Sequence, residues 1–263
     1  MDDFGFVLAG FFVGAIVGLT GVGGGSLMTP LLIFFFGVKP YLAVGTDLLF
    51  AAFTKMGGTV SFAQQRIVPW KVVGLLSAGS IPAALATLAV LHGVGPAEPA
   101  LQSVMTYTLG VALLLTAAAM LYKALRGAQM LRKPLQADDA RASTPRHWSL
   151  PLLFGALIGS LVTLTSVGAG AIGVSVLLLL YPLLPLPRIV AADIAYAVPL
   201  TLVAGLGHAW LGSVDWPLLG KLLAGSLPGI WLGSRLTHRA PERLVRSVLS
   251  ILLAWAGVKL VLI

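Results

Sequence analysis

Apolar runs at residues 4–19, 26–37, 43–62, 71–91, 101–122, 150–164, 171–184, 190–211, 217–234 and 247–262 occupy most of the 263-residue chain. A helix of about 20 apolar residues spans the roughly 30 Å hydrocarbon layer of a bilayer, so the pattern predicts an all-α polytopic membrane protein. Charged residues make up only 10% of the chain, against about a quarter in soluble domains. A soluble domain, a disordered tail and a disulfide scaffold are excluded, and with Cys at 0 no thiolate metal site is available. The first two segments of each half, 4–19 with 26–37 and 150–164 with 171–184, fall short of a full span. Joined by glycines, each pair reads either as a re-entrant hairpin or as two spans. Both leave the topology of the rest unchanged.

Residues 123–147 form the one long polar stretch and are too short to bury a core. They divide the chain into a first membrane repeat (1–122), a linker (123–147) and a second membrane repeat (148–263). Lys123, Arg126, Arg132, Lys133, Arg141 and Arg146 make the linker basic. Basic loops stay cytoplasmic, and alternating sides from there puts Arg66, Lys71, Arg188, Arg235, Arg239, Arg243 and Arg246 on the same face. Asp2, Asp3, Glu98 and Asp215 fall on the other, with Lys39, Lys221 and Lys259. Both termini are therefore expected outside. The net charge of +8 orients the chain in the bilayer, its first partner, and no nucleic-acid partner is expected.

The halves repeat. A shift of 146 lays Asp47-Leu48-Leu49-Phe50 on Asp193-Ile194-Ala195-Tyr196, Trp70 on Trp216, Ala78-Gly79-Ser80 on Ala224-Gly225-Ser226 and Pro82 on Pro228. A shift of 145 lays Leu19–Gly25 on Leu164–Gly170. An odd number of crossings per repeat inverts the second copy. The expected architecture is thus two inverted-topology repeats of about five helical segments, with glycine-broken or re-entrant helices at the repeat interface, as in secondary transporters.

The breaks are where binding chemistry is expected. Thr20, Gly21, Gly23, Gly24, Gly25 and Ser26 lie in one glycine loop, and Thr165, Ser166, Gly168 and Gly170 in the other. Glycine exposes backbone N–H groups and a following helix adds its positive dipole end, a combination suited to a small anion. Close helix packing through small residues is the competing explanation. Asp47, Lys55 and Asp193 lie in otherwise apolar runs, where each charge costs at least about 2.5 kcal/mol to insert. Asp47 and Lys55 are two turns apart, about 80° around a helix, and cannot pair along one straight helix. Lys55 reads as a substrate-facing cation whose counterpart in the second half is Thr201. Asp47 and Asp193 read either as proton or ion couplers or as helix caps. His208 reads as a proton relay or a structural histidine. Trp70 and Trp216 suit interfacial anchoring. No metal-ligand spacing, phosphate-binding lysine loop or nucleophile elbow occurs, so no enzyme, cofactor, ATP or metal chemistry is expected.

The stretches GLTGVGGGSLMTPLLIFFFG and AVGTDLLFAAFTK resemble the TauE/SafE family of membrane permeases, and LTSVGAGAIGV with AADIAYAVPLTLVAGLGH resembles its weaker second repeat. The resemblance covers essentially the whole chain. It implies a small-anion transporter of the bacterial inner membrane, an exporter of sulfite, sulfoacetate or related organosulfur anions, with Gly21, Gly23, Gly24, Gly25 and Thr46 as motif positions. Ser166, Ala169 and Ala191-Ala192 depart from the first copy, and many relatives carry Ser at the place of Asp47. Read together, the residues suggest proton-coupled secondary transport by alternating access, with a passive anion channel or an importer of a small carboxylate or sulfonate as alternatives. A homodimer is compatible with either.

Overall fold

A computed structural model of the chain describes residues 3–20, 25–95, 98–130, 148–236 and 242–262. Ten helices follow one another, with no strand among the described residues: α1 (Asp3–Thr20), α2 (Gly25–Phe36), α3 (Pro40–Gln64), α4 (Trp70–Val94), α5 (Pro99–Met130), α6 (Ser149–Thr165), α7 (Ala171–Leu180), α8 (Leu186–Trp210), α9 (Trp216–Leu236) and α10 (Glu242–Val261). Each expected apolar run has its helix. By length and composition Trp70–Val94, Pro99–Tyr122 and Leu186–Trp210 can each cross a membrane. The short runs are short helices: α2 has 12 residues and α7 has 10, about 18 and 15 Å at 1.5 Å per residue, half of a hydrocarbon layer.

Local chemistry sets the ends. Pro40 and Pro187 open α3 and α8, where the missing N–H costs nothing and φ is already helical. The run expected over 171–184 stops at Leu180, because Pro182 cannot donate the next helical bond. The Tyr181 N–H closes the turn on the Leu177 carbonyl. Conversely α5 continues from Tyr122 to Met130, since Lys, Ala, Leu and Arg end the apolar run without disfavouring helix.

Helices pair across the halves. Gly10 and Gly14 of α1 lie on the backbone of Leu222 and Ser226 in α9, closer than any Cβ could stand. Gly155 and Gly159 of α6 lie in the same way on Leu76 and Ser80 of α4. Gly79 meets the Leu152 carbonyl as Gly225 meets that of Val7. These contacts recur at the offsets of 145 and 146 that relate the halves. Van der Waals packing through small residues is what holds helices together in lipid.

The equivalent helices α3 and α8 also pack together, with Gly58 facing Ile194, Gly205 facing Leu49 and Gly45 facing His208, an antiparallel arrangement. Around them lie three apolar clusters: α3, α4, α5, α6, α7 and α8 share one, α5 and α10 the second together with Val167 and Ala171, and α1, α2, α3 and α9 the third. Large apolar side chains such as Phe35, Leu179 and Trp210 point outward. So extended an apolar exterior is a surface for lipid.

Candidate functional site

The centre of the α3–α8 pair is polar. Asp47 and Asp193 are each the eighth residue of their helices, two turns inside, which removes the capping role considered for them; the residues before the two helices make no side-chain cap. Both carboxylates are buried, as are Lys55, Thr201 and His208.

Lys55 gathers the site. Its ammonium donates to the Ala169 carbonyl at 3.2 Å, a residue 114 positions away in the second glycine loop. It also feels the charges of both Asp193 and Asp47. Asp47 and Lys55 do not pair along α3. The cation instead faces a carboxylate from each half and the loop backbone. One carboxylate oxygen of Asp47 accepts a hydrogen bond from the Thr29 hydroxyl of α2. The buried Ser166 side chain lies within reach of the same carboxylate. The second-half counterpart of Lys55, Thr201, spends its hydroxyl on the Ala197 carbonyl of its own helix at 2.8 Å.

The loop after α6 is built to open. Ser166 closes α6 in the left-handed region at φ 58°, its N–H on the Val162 carbonyl at 2.7 Å. Gly168 and Gly170 follow at φ 127° and 130°, values that a side chain would strain against its own backbone. The Gly173 and Val174 N–H groups return to the Gly168 and Gly170 carbonyls. No backbone bond to the N–H groups of Gly168, Ala169 or Gly170 is found among the described residues. These donors stand at the positive end of α7 with the Ser166 hydroxyl beside them, the elements of an anion site. The loop also supplies one acceptor, the Ala169 carbonyl, which is the group that holds Lys55.

Other expected site residues serve elsewhere. Thr165 is committed to the loop itself, donating to the Leu161 carbonyl and accepting from the Val167 N–H. Thr46 accepts the Asp215 N–H at 3.0 Å, and a Cβ on neighbouring Gly45 would strike the Ser213 carbonyl. That part of α3 seats the turn between α8 and α9. His208 lies at 3.0 Å, through Nε2, from the Thr163 carbonyl. A carbonyl can only accept, so Nε2 carries the proton and ties α8 to α6. Ser26 is buried in the first turn of α2. Gly21, Gly23 and Gly24 lie outside the described residues, and Thr20 and Gly25 enter only as the ends of α1 and α2.

Sequence reasoning missed Thr29, Tyr196 and Gly173. Tyr196 is three residues from Asp193, hence on its helix face, and that spacing was readable. Thr29 and Gly173 become visible only when α2 and α7 fold back on α3 and α8.

The family model described as sulfite exporter TauE/SafE matches residues 6–260. The probable membrane transporter protein YjnA of Bacillus subtilis (strain 168) is 36% identical over 260 residues, covering 97% of this chain and 98% of that protein. The probable membrane transporter protein YdhB of the same organism is 26% identical over 254 residues, with 97% and 98% covered. A probable membrane transporter protein of Xylella fastidiosa (strain Temecula1 / ATCC 700964) is 27% identical over 240 residues, covering 88% of this chain and 83% of the relative. No solved structure matches significantly.

Proposed function

The chain belongs to the sulfite exporter TauE/SafE family, and from that membership we propose that it is a secondary active transporter moving a small oxyanion, sulfite, sulfoacetate or a related organosulfur anion, out of the cell. It is a multi-pass membrane transporter, not an enzyme. The carrying observation is the position of Lys55, buried in α3, bonded to the loop that opens α7 and within electrostatic reach of both carboxylates. The anion binds at Lys55 and the start of α7, where the N–H groups of Gly168, Ala169 and Gly170 make no backbone bond among the described residues.

Charge supports coupling to protons. With all three groups ionised, Asp47, Asp193 and Lys55 sum to one negative charge, which repels an incoming anion in a medium of low dielectric. A proton on one carboxylate removes that repulsion, so anion binding is linked to proton uptake at the site. Antiparallel packing of equivalent helices α3 and α8, and the matching α1–α9 and α4–α6 contacts, support two inverted repeats that rock about the site to expose it alternately to each face.

In proteoliposomes, sulfite or sulfoacetate flux in Lys55→Ala falls at least about tenfold, the loss of one charge-assisted contact. Unchanged flux would remove Lys55, and with it this site, from the account.

A further inference from the structure

Asp193 is packed closely against the start of α7. Gly173 is the third residue of α7. Were it any other residue, its Cβ would collide with Asp193 Oδ1 and crowd the Tyr196 hydroxyl. The Asp193 carboxylate thus lies against the first turn of α7, where the helix dipole is positive and favours a negative charge. It also faces Lys55. Ser166, 4% exposed, stands at the head of the same loop, with its side chain toward Asp47. One of the chain's own anions therefore occupies the surroundings that suit a substrate anion. Asp47 is placed differently, bonded to Thr29 of α2.

We propose that Asp193 is a tethered counter-anion: without substrate its carboxylate holds the positive start of α7 opposite Lys55, and an oxyanion enters by displacing or neutralising it. The proposal rests on the reading of this centre as an anion site and assigns the two carboxylates different work. A site that kept its dipole and ammonium uncovered would hold a transported anion too long. A carboxylate on a hinged side chain covers both when the anion leaves. Protonation of Asp193 has the same effect as displacement, so affinity for the anion rises as pH falls. The titratable groups around Asp193 are few. Lys55 interacts with it from α3 and Tyr196 lies beside it on α8, whereas α6 and α7 contain no titratable residue. On α4, Lys71 and His92 are exposed near the two ends, and His208 of α8 is held at Thr163.

The test is equilibrium binding of methanesulfonate, whose charge stays fixed at every pH used, to the full chain purified in detergent. Wild-type affinity is expected to fall from the acid to the alkaline end of the pH range assayed, by proton linkage. Asp193→Asn is expected to bind at least about tenfold more tightly at the upper pH and to lose the pH dependence. Asp47→Asn, which removes an equal charge, is expected to keep that dependence. Equal gains in both variants would mean a general charge effect and overturn the proposal, as would an Asp193→Asn protein that binds like wild type. If Asp193→Asn is not recovered as a monodisperse protein, the decision falls on the other two proteins: a flat wild-type profile, or its abolition by Asp47→Asn, overturns the assignment. Lys55→Ala separates the levels. Lost binding in Lys55→Ala with no effect of Asp193→Asn leaves the anion site standing and removes the counter-anion. Binding unchanged in both removes the site itself.

Discussion

The residues that carry the site differ in how they are satisfied, and this sets what each substitution does. Asp47 has a donor from another helix, Thr29, so its charge is anchored as well as buried. Thr29→Val removes that donor while nearly preserving volume, and leaves a buried carboxylate short of a charge-assisted bond worth about 1.5–3 kcal/mol. A lower melting temperature in detergent is the expected reading, with Asp47→Asn in the same chain recovering part of the loss. Independent, additive losses from the two changes would show that the pair does not act together. At His208 the same kind of reasoning separates structure from proton transfer. Its Nε2–H holds the Thr163 carbonyl, and an amide can replace that donor. His208→Gln is expected to retain both stability and proton-driven flux, while a collapse of flux in a stable His208→Gln protein would restore the relay reading. The intramembrane charges themselves were legible in the sequence, because ionisable groups in apolar runs stand out. Their partners were not, since Thr29 and the Ala169 carbonyl lie 18 and 114 positions from the groups they bond.

Among the helices, glycine does two kinds of work, and substitutions should tell them apart. Gly14 and Gly159 set the closest approach of α1 to α9 and of α6 to α4, each on a serine backbone of the partner. Gly57 and Gly93 face open space. Gly14→Val and Gly159→Val are expected to cost about 1–3 kcal/mol each by overpacking, read as earlier unfolding in detergent. Gly57→Ala and Gly93→Ala should be neutral or slightly stabilising, because alanine is the better helix former. A uniform response across all four would contradict the packing described. Close packing through small residues, the competing explanation for the two glycine loops, is found elsewhere, along α1, α4, α6 and α9. The left-handed turns at Ser166, Gly168 and Gly170 have a different purpose: they free the start of α7. Sequence periodicity foresaw the short elements, but the exact stop of α7 belonged to Pro182.

At the scale of the whole molecule, the distribution of Lys and Arg makes a claim about orientation that the lack of cysteine renders easy to test. A single Glu98→Cys is expected to react with a membrane-impermeant maleimide in intact cells, and Ser143→Cys only after lysis, as basic loops remain cytoplasmic. The opposite pattern would invert the assigned topology and place both termini inside. The apolar segments, their approximate ends and the in-register identities between the halves were legible in the amino-acid sequence alone, because all are properties of a one-dimensional string. Which helices touch, and which groups Lys55 meets, were decided only by tertiary structure. Exchange of α1 and α6 between the halves, and the folding of α7 back onto Asp193, depend on backbone approach in space. In lipid that approach is governed by side-chain shape and local dipoles rather than by hydrophobicity, and no periodicity along the chain records it.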